Sequence, residues 1–197
     1  MPKKKPKKAS KPIKRKENVK RDIQVVNIVI STSLQHDIPL EKMAATLSNT
    51  EYNPEQFPGL VIRIKEPKTS ALIFSSGKIV CTGARSMEKV EESIKKIIKS
   101  LEKINVKITI KPEIKIQNIV ASGTVGMDLN LNTLAMKLEN TEYEPEQFPG
   151  LVYKLDEAKA TFLLFSNGKV VCTGTKSEKE VHIALDMLIE RLKKVKA

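Results

Sequence analysis

The 197-residue chain has no tryptophan, only two histidines and two cysteines, and aromatic residues make up just 4% of it. Each shortage closes off a class of function. His36 and His182 have no Cys or second His at ligand spacing, so no metal site is expected and both read as structural. Cys81 and Cys172 each stand alone in a strand-like run (KIVCTG, KVVCTG), which predicts two buried thiols, not a disulfide or a redox pair. No apolar run approaches the ~18 residues of a membrane span, and the basic N-terminus is not followed by an apolar signal core. A soluble, intracellular protein is expected. There is no Ser/His/Asp or paired-carboxylate constellation, and Ser75-Ser76-Gly77-Lys78 lacks both the upstream glycine and the trailing hydroxyl of a phosphate loop. The reading is a protein without catalysis and without a cofactor.

Charge is unevenly distributed. Nine Lys, two Arg and one Glu fall in residues 1–21, so this head carries +10 of the total +12. With little apolar content it has nothing to pack, and it is expected to be disordered, serving as a solubilising tail, an import signal or a nonspecific arm for nucleic acid. The remaining residues are close to neutral.

What the chain does have is a duplication. Thr50 to Leu60 reads TEYNPEQFPGL and Thr141 to Leu151 reads TEYEPEQFPGL, 91 residues apart. The same offset aligns KTSALIFSSGKIVCTG (Lys68 to Gly83) with KATFLLFSNGKVVCTG (Lys159 to Gly174), and it holds without a gap from Ile23 to Lys103. A period this long is a duplicated half, 22–113 and 114–197, and not a solenoid unit of ~20 to 50 residues. Two such halves predict a pseudo-twofold body, suited to a ligand that is itself nearly twofold, such as duplex DNA.

Each half reads as a strand, a short helix, three strands in hairpins and a long helix. Ile23 to Ser31 is rich in Val and Ile, and Pro39 to Ser48 has helical apolar spacing at Leu40, Met43, Ala44 and Leu47. Leu60 to Lys65, Ser70 to Ser75 and Lys78 to Thr82 are β-type runs, and the Asn167-Gly168 pair marks a hairpin. Met87, Val90, Ile94, Ile97, Ile98 and Leu101 form one stripe of a helix opening at Ser86, and Ser177 with Glu180 predicts a capping box. Asn105 to Ile116 (NVKITIKPEIKI) alternates, predicting a strand that joins the halves.

One pattern does not fit a sheet covered on one side. Such a sheet alternates apolar and polar residues, because its open face meets water. In Ala71-Leu72-Ile73-Phe74, and again in Phe162-Leu163-Leu164-Phe165, both parities are apolar. Two helices per half can cover only one face, so a second sheet, a partner or a ligand must cover the other. On residue type alone, Leu72, Leu163 and the neighbouring valines would read as core, and Asn27 and Asn118 as turn caps.

The strings QNIV (Gln117 to Val120), EYxPEQFPGL in both halves, LxFxxGKxVxTG in both halves and the gapless duplication together resemble the TATA-box-binding protein family in its archaeal form, over residues 23–194. The resemblance implies an α+β saddle: a curved antiparallel sheet of ten strands, four helices on the convex face and a concave apolar underside lying in the minor groove of A·T-rich DNA. It implies wedges at Phe57 and Phe74 in one half and Phe148 and Phe165 in the other. Asn27 and Asn118 would donate to the central base pairs, with Thr82 and Thr173 beside them. Val29, Val80, Val120 and Val171, with Leu72 and Leu163, would line the groove floor, and Arg63, Lys65, Lys78, Lys154 and Lys169 would meet phosphates.

The same resemblance implies that Glu142, Glu144 and Glu146 receive transcription factor B, with RNA polymerase following indirectly. Gln147 departs from the apolar residue of eukaryotic members. A weak homodimer in the absence of DNA is also implied, as is a place in the cytoplasm at the nucleoid of an archaeon, or in the nucleus of a eukaryote. The alternative is an accessory module of a ribonuclease H or DNA glycosylase type enzyme. That reading needs a further catalytic domain, and the chain ends three residues after the second repeat.

Overall fold

The computed structural model describes residues 22–196; the expectations for the basic head lie outside them. The first half runs β1 (Asp22–Ser33), α1 (Leu40–Thr46), β2 (Thr50–Glu51), β3 (Gly59–Ile64), β4 (Thr69–Phe74), β5 (Lys78–Ala84) and α2 (Met87–Glu102). The second repeats it as β6 (Lys115–Thr124), α3 (Leu131–Lys137), β7 (Thr141–Glu142), β8 (Leu151–Leu155), β9 (Ala160–Leu164), β10 (Lys169–Thr175) and α4 (Glu178–Lys196), with a 3-10 turn at Asp156–Ala158. All ten strands form one antiparallel, curved sheet in the order β2-β3-β4-β5-β1-β6-β10-β9-β8-β7. The order is a palindrome under exchange of the halves, as the duplication requires.

The halves meet at β1 and β6, which pair antiparallel with Ile28 opposite Ile119. The connector does not form the expected joining strand. Residues 106–114 are irregular, and only Lys115 onward enters the sheet. Its alternation has a different cause: Ile104 and Val106 are buried, and Ile108 and Ile114 pack against the first core, so the apolar residues anchor a crossing segment. The two-residue edge strands β2 and β7, at the start of each TEY string, were not legible as strands because two residues carry no period.

Local chemistry explains the element ends. Ser86 Oγ accepts the Lys89 N–H at 3.4 Å to cap α2. At α4, Ser177 Oγ accepts the Glu180 N–H at 3.2 Å, while the Glu180 carboxylate reaches back to the Lys176 N–H at 2.8 Å, one residue earlier than a standard capping box. In the β4–β5 and β9–β10 hairpins only the glycine is left-handed, Gly77 at φ 76° and Gly168 at φ 75°. A Cβ there would stand 2.3 Å and 2.2 Å from the carbonyl oxygens of His36 and Met127, so each turn admits glycine alone.

Each half has its own core between sheet and helices. In the first, Ile28, Ile30, Leu60, Ile62, Ile73 and Ile79 meet Val90, Ile94, Ile97 and Leu101 of α2; in the second, Tyr153, Phe162, Leu164 and Val170 meet Leu185, Leu188 and Leu192 of α4. The two cores solve one volume differently, since Ala71 and Ile62 of the first stand where Phe162 and Tyr153 stand in the second. Cys81 and Cys172 are buried free thiols, and burial raises both from 9.0 to about 11.

Candidate nucleic-acid interface

Along the strands buried residues alternate with partly exposed ones and face the helices; the alternation shifts only past Gly83 and Gly174, where Ala84 and Thr175 turn inward, and at Gly59, which is buried beside Leu60. The other parity lies on a face that none of the described elements covers. The misfit in the sequence is thereby located. Ala71 and Ile73 are buried while Leu72 and Phe74 are half-buried on the open face, and Phe162 and Leu164 are buried while Leu163 and Phe165 are on the open face. Register aligns the open-face residues in rows: Val61 opposite Leu72 and Leu72 opposite Val80, and in the second half Val152 opposite Leu163 and Leu163 opposite Val171.

At the seam the register sets Asn27 opposite Val120 and Val29 opposite Asn118. Two amides and two valines thus form a patch on the pseudo-twofold axis. Neither amide caps a turn. Asn27 Oδ1 accepts the Gly83 N–H at 2.7 Å and Nδ2 donates to Thr82 Oγ1 at 3.0 Å; Asn118 does the same with Gly174 at 2.8 Å and Thr173 at 2.9 Å. A backbone N–H can only donate, so it fixes which amide atom is oxygen. Each Nδ2 keeps one further proton, on the open face.

At either end an aromatic pair stands on the same surface. Phe57 and Phe74 lie 5.9 Å apart between ring centres with planes at 62°, and Phe148 and Phe165 lie 6.1 Å apart at 65°, both edge-to-face. The loop members, Phe57 and Phe148, are 44% and 45% exposed, a large apolar area offered to water. Lys78 and Lys169 begin β5 and β10 and are exposed.

Arg63 and Lys154, the outer cations, are already paired with acids of the edge strands: Arg63 with Glu51 at 3.1 Å and Lys154 with Glu142 at 2.9 Å. The Arg63 guanidinium holds the Glu51 carboxyl below its ordinary range, and the Lys154 ammonium does so for Glu142. Both pairs are exposed and add little to stability. Glu142 is therefore separated from the two acids grouped with it in the sequence. It sits in β7 facing a cation, whereas Glu144 and Glu146 are exposed in the loop that leads to Phe148. The Glu144 carbonyl accepts the N–H groups of Gln147 and Phe148, both at 3.0 Å, and Asn53 does the same for Gln56 and Phe57. The exchange of Asn53 for Glu144 changes charge and leaves the turn intact.

Sequence reasoning missed Val61 and Val152, though the alternation in LVIRI and LVYKL gives them the parity of Arg63 and Lys154. It also missed Gly59 and Gly150, which lie under the phenylalanine pairs. Among the described residues no helix is long and apolar enough to cross a membrane, and no group of three or more His, Cys, Asp or Glu could hold a metal ion.

The family model described as "Transcription factor TFIID (or TATA-binding protein, TBP)" matches residues 22–104 and, a second time, residues 113–195. The chain belongs to this family. It is 52% identical over 174 residues to the TATA-box-binding protein of Methanocaldococcus jannaschii, covering 88% of this chain and 95% of that one. It is 53% identical over 171 residues to that of Methanothermobacter thermautotrophicus, covering 87% and 94%. The solved structure of Methanococcus jannaschii TBP superposes with a TM-score of 0.83 at 51% identity, over 88% of this chain and 99% of that one. Two matches of one family model in one chain are the duplication seen from outside, and the ten-stranded sheet with four helices is the family's fold. Family identity also implies a DNA-binding factor that is not an enzyme.

Proposed function

We propose that this chain is a general transcription initiation factor that binds the minor groove of the TATA box, bends the DNA, and recruits transcription factor B and through it RNA polymerase. One observation carries the reading: a face left uncovered by the described residues, apolar along its rows, with amide donors at the pseudo-twofold centre and an aromatic pair at each end. A·T pairs offer only acceptors in the minor groove, which the free protons of Asn27 and Asn118 match. Val29, Val80, Val120 and Val171 leave the guanine amino group without a partner, so G·C pairs are excluded.

Phe74 and Phe165, backed by Phe57 and Phe148, open the base steps at the two ends. Unstacking costs a few kcal/mol, a figure for minor-groove benders of which this family is a standard example, and the surface that the bend brings into contact offsets it. Lys78, Lys169, Arg63 and Lys154 meet phosphates, the last two after exchanging their carboxylate partners. The test is titration of an A·T-rich duplex and a G·C-substituted control, with energy transfer between the duplex ends reading the bend. Tight binding, a strong bend and a markedly negative heat-capacity change are expected on the A·T-rich duplex alone. Equal binding to both duplexes without bending would refute the assignment.

Recruitment of transcription factor B is assigned to Glu144 and Glu146, the free acids of the second loop. Glu144→Arg with Glu146→Arg should abolish the ternary complex and spare binary DNA binding, whereas Glu55→Arg in the first loop should be mild. Equal loss from both loops would remove the second loop from partner choice. Without DNA, the same apolar face favours a weak homodimer, which sedimentation across a concentration series would detect and which excess A·T-rich duplex should dissolve.

A further inference from the structure

We infer that Gly59 and Gly150 are positioning residues that seat the two aromatic wedges before DNA arrives. Most glycines of the hairpins and sheet have a backbone reason: Gly77, Gly83, Gly168 and Gly174 have φ between 75° and 99°, and a Cβ on any of them would run into backbone atoms. Gly59 and Gly150 open β3 and immediately precede β8, and neither has a left-handed φ. Their backbone would accept any residue. What a Cβ would meet is aromatic: at Gly59, Phe57 Cε1 at 2.7 Å and Phe74 Cε1 at 3.2 Å; at Gly150, Phe148 Cε1 at 2.6 Å and Phe165 Cε1 at 3.1 Å.

The missing side chain is thus filled by the loop phenylalanine folding back over the strand, with its edge against the strand phenylalanine. Both repeats show the same geometry although Asn53 of one loop is Glu144 in the other, so the seat tolerates that change of charge. A ring held on such a seat keeps few of its rotamers and loses little further entropy when it enters a base step. A methyl at either position would leave the strand in place and push one ring off its neighbour. This inference rests on the DNA reading above for its consequence, but its geometric part concerns the free protein.

The experiment separates the two. In the full-length free protein, NMR cross-peaks between the ring protons of Phe57 and Phe74 should be present and should vanish in Gly59→Ala; Gly150→Ala should remove those between Phe148 and Phe165. Each variant should bind a fully paired A·T-rich duplex about tenfold more weakly, with a smaller bend. It should lose no more than about twofold on a duplex whose end steps are already opened by mismatches, because a misplaced wedge matters only where a step must be unstacked.

A double-mutant cycle tests the seat: Gly59→Ala in a Phe57→Ala background should cost far less than in the parent, in binding and in melting temperature, because only the 3.2 Å contact with Phe74 then remains. If Gly59→Ala lowers the melting temperature and Phe57→Ala does not restore it, the glycine serves the core and the inference fails. Unchanged cross-peaks, or equal losses on paired and mismatched duplexes, would overturn it as well. If the cross-peaks behave as expected while the parent protein ignores A·T-rich DNA, the seat stands and the DNA reading falls.

Discussion

Replacing Asn118 by Asp changes one NH2 group to an oxygen at nearly constant shape, and the structure says what that exchange removes. The Gly174 N–H, 2.8 Å from Oδ1, keeps its acceptor. Thr173, whose hydroxyl now accepts from Nδ2 at 2.9 Å, can turn its proton toward the new oxygen. The folded protein therefore loses almost nothing, under about 1 kcal/mol. On DNA the position changes sign. In the proposed DNA complex, the proton on the open face would become a charged oxygen set against the acceptors of an A·T pair in a site that excludes water. A lost hydrogen bond costs about 0.5 to 1.5 kcal/mol and an unmatched buried acceptor about 1 to 3 kcal/mol, so a loss of about 1.5 to 4.5 kcal/mol is expected, or roughly 10- to 2,000-fold in affinity.

Titration of a labelled A·T-rich duplex measures it, with thermal melting of the free variant as the stability control. Protonation restores a donor, so the variant should recover affinity as pH falls toward the carboxyl range, while the parent shows no such gain. A variant that binds normally, or whose loss of binding is matched by a loss of fold, would show that the amide serves the protein and not the ligand. Asn27→Asp should behave alike, because the clamp on Gly83 and Thr82 is the same.

Other perturbations follow from comparing the halves. Thr175 Oγ1 is buried without a hydrogen-bond partner among the described residues, and the equivalent first-half residue is Ala84; Thr175→Val should raise stability by about 1 kcal/mol and the melting temperature by about 2 to 4 °C, and a decrease would mean that the hydroxyl has a partner in solution. Thr69 and Ser93 share a buried hydrogen bond of 2.8 Å where the second half has Ala160 and Ala184, so in chemical denaturation the double alanine variant should cost less than the sum of the single ones; strict additivity would refute the coupling. The thiols of Cys81 and Cys172, raised to about 11, should resist alkylation in the folded protein at pH 8. Because the unfolded thiols ionise near pH 9 and the folded ones do not, their contribution to stability falls as pH rises from about 9 to 11, which melting across that range would show.

The sequence alone determined what depends on local period and on identity at fixed offset. The 91-residue duplication implied a pseudo-twofold body, and the two-sided apolar runs around Leu72 and Leu163 implied a face that the helices do not cover. Strand parity set Phe74 and Phe165 opposite the core residues, because side chains alternate with period two whatever the strand's neighbours are. Tertiary structure decided everything that rests on register and on loop path. The Asn27–Thr82 and Asn118–Thr173 clamps join residues 55 apart, and only the pairing of strands brings them together.

The loop phenylalanines could not be placed by parity, since they lie in no strand; they are set by a turn whose carbonyl, of Asn53 or Glu144, accepts their N–H. The connector misled because alternation marks one buried side, and a segment crossing a core edge has one as surely as a strand does. Glu142 looked like its neighbours Glu144 and Glu146 along the chain. It differs from them because a two-residue strand pairs it across to β8, beside Lys154, and that partner is chosen by hydrogen bonding between strands, which no window of sequence contains.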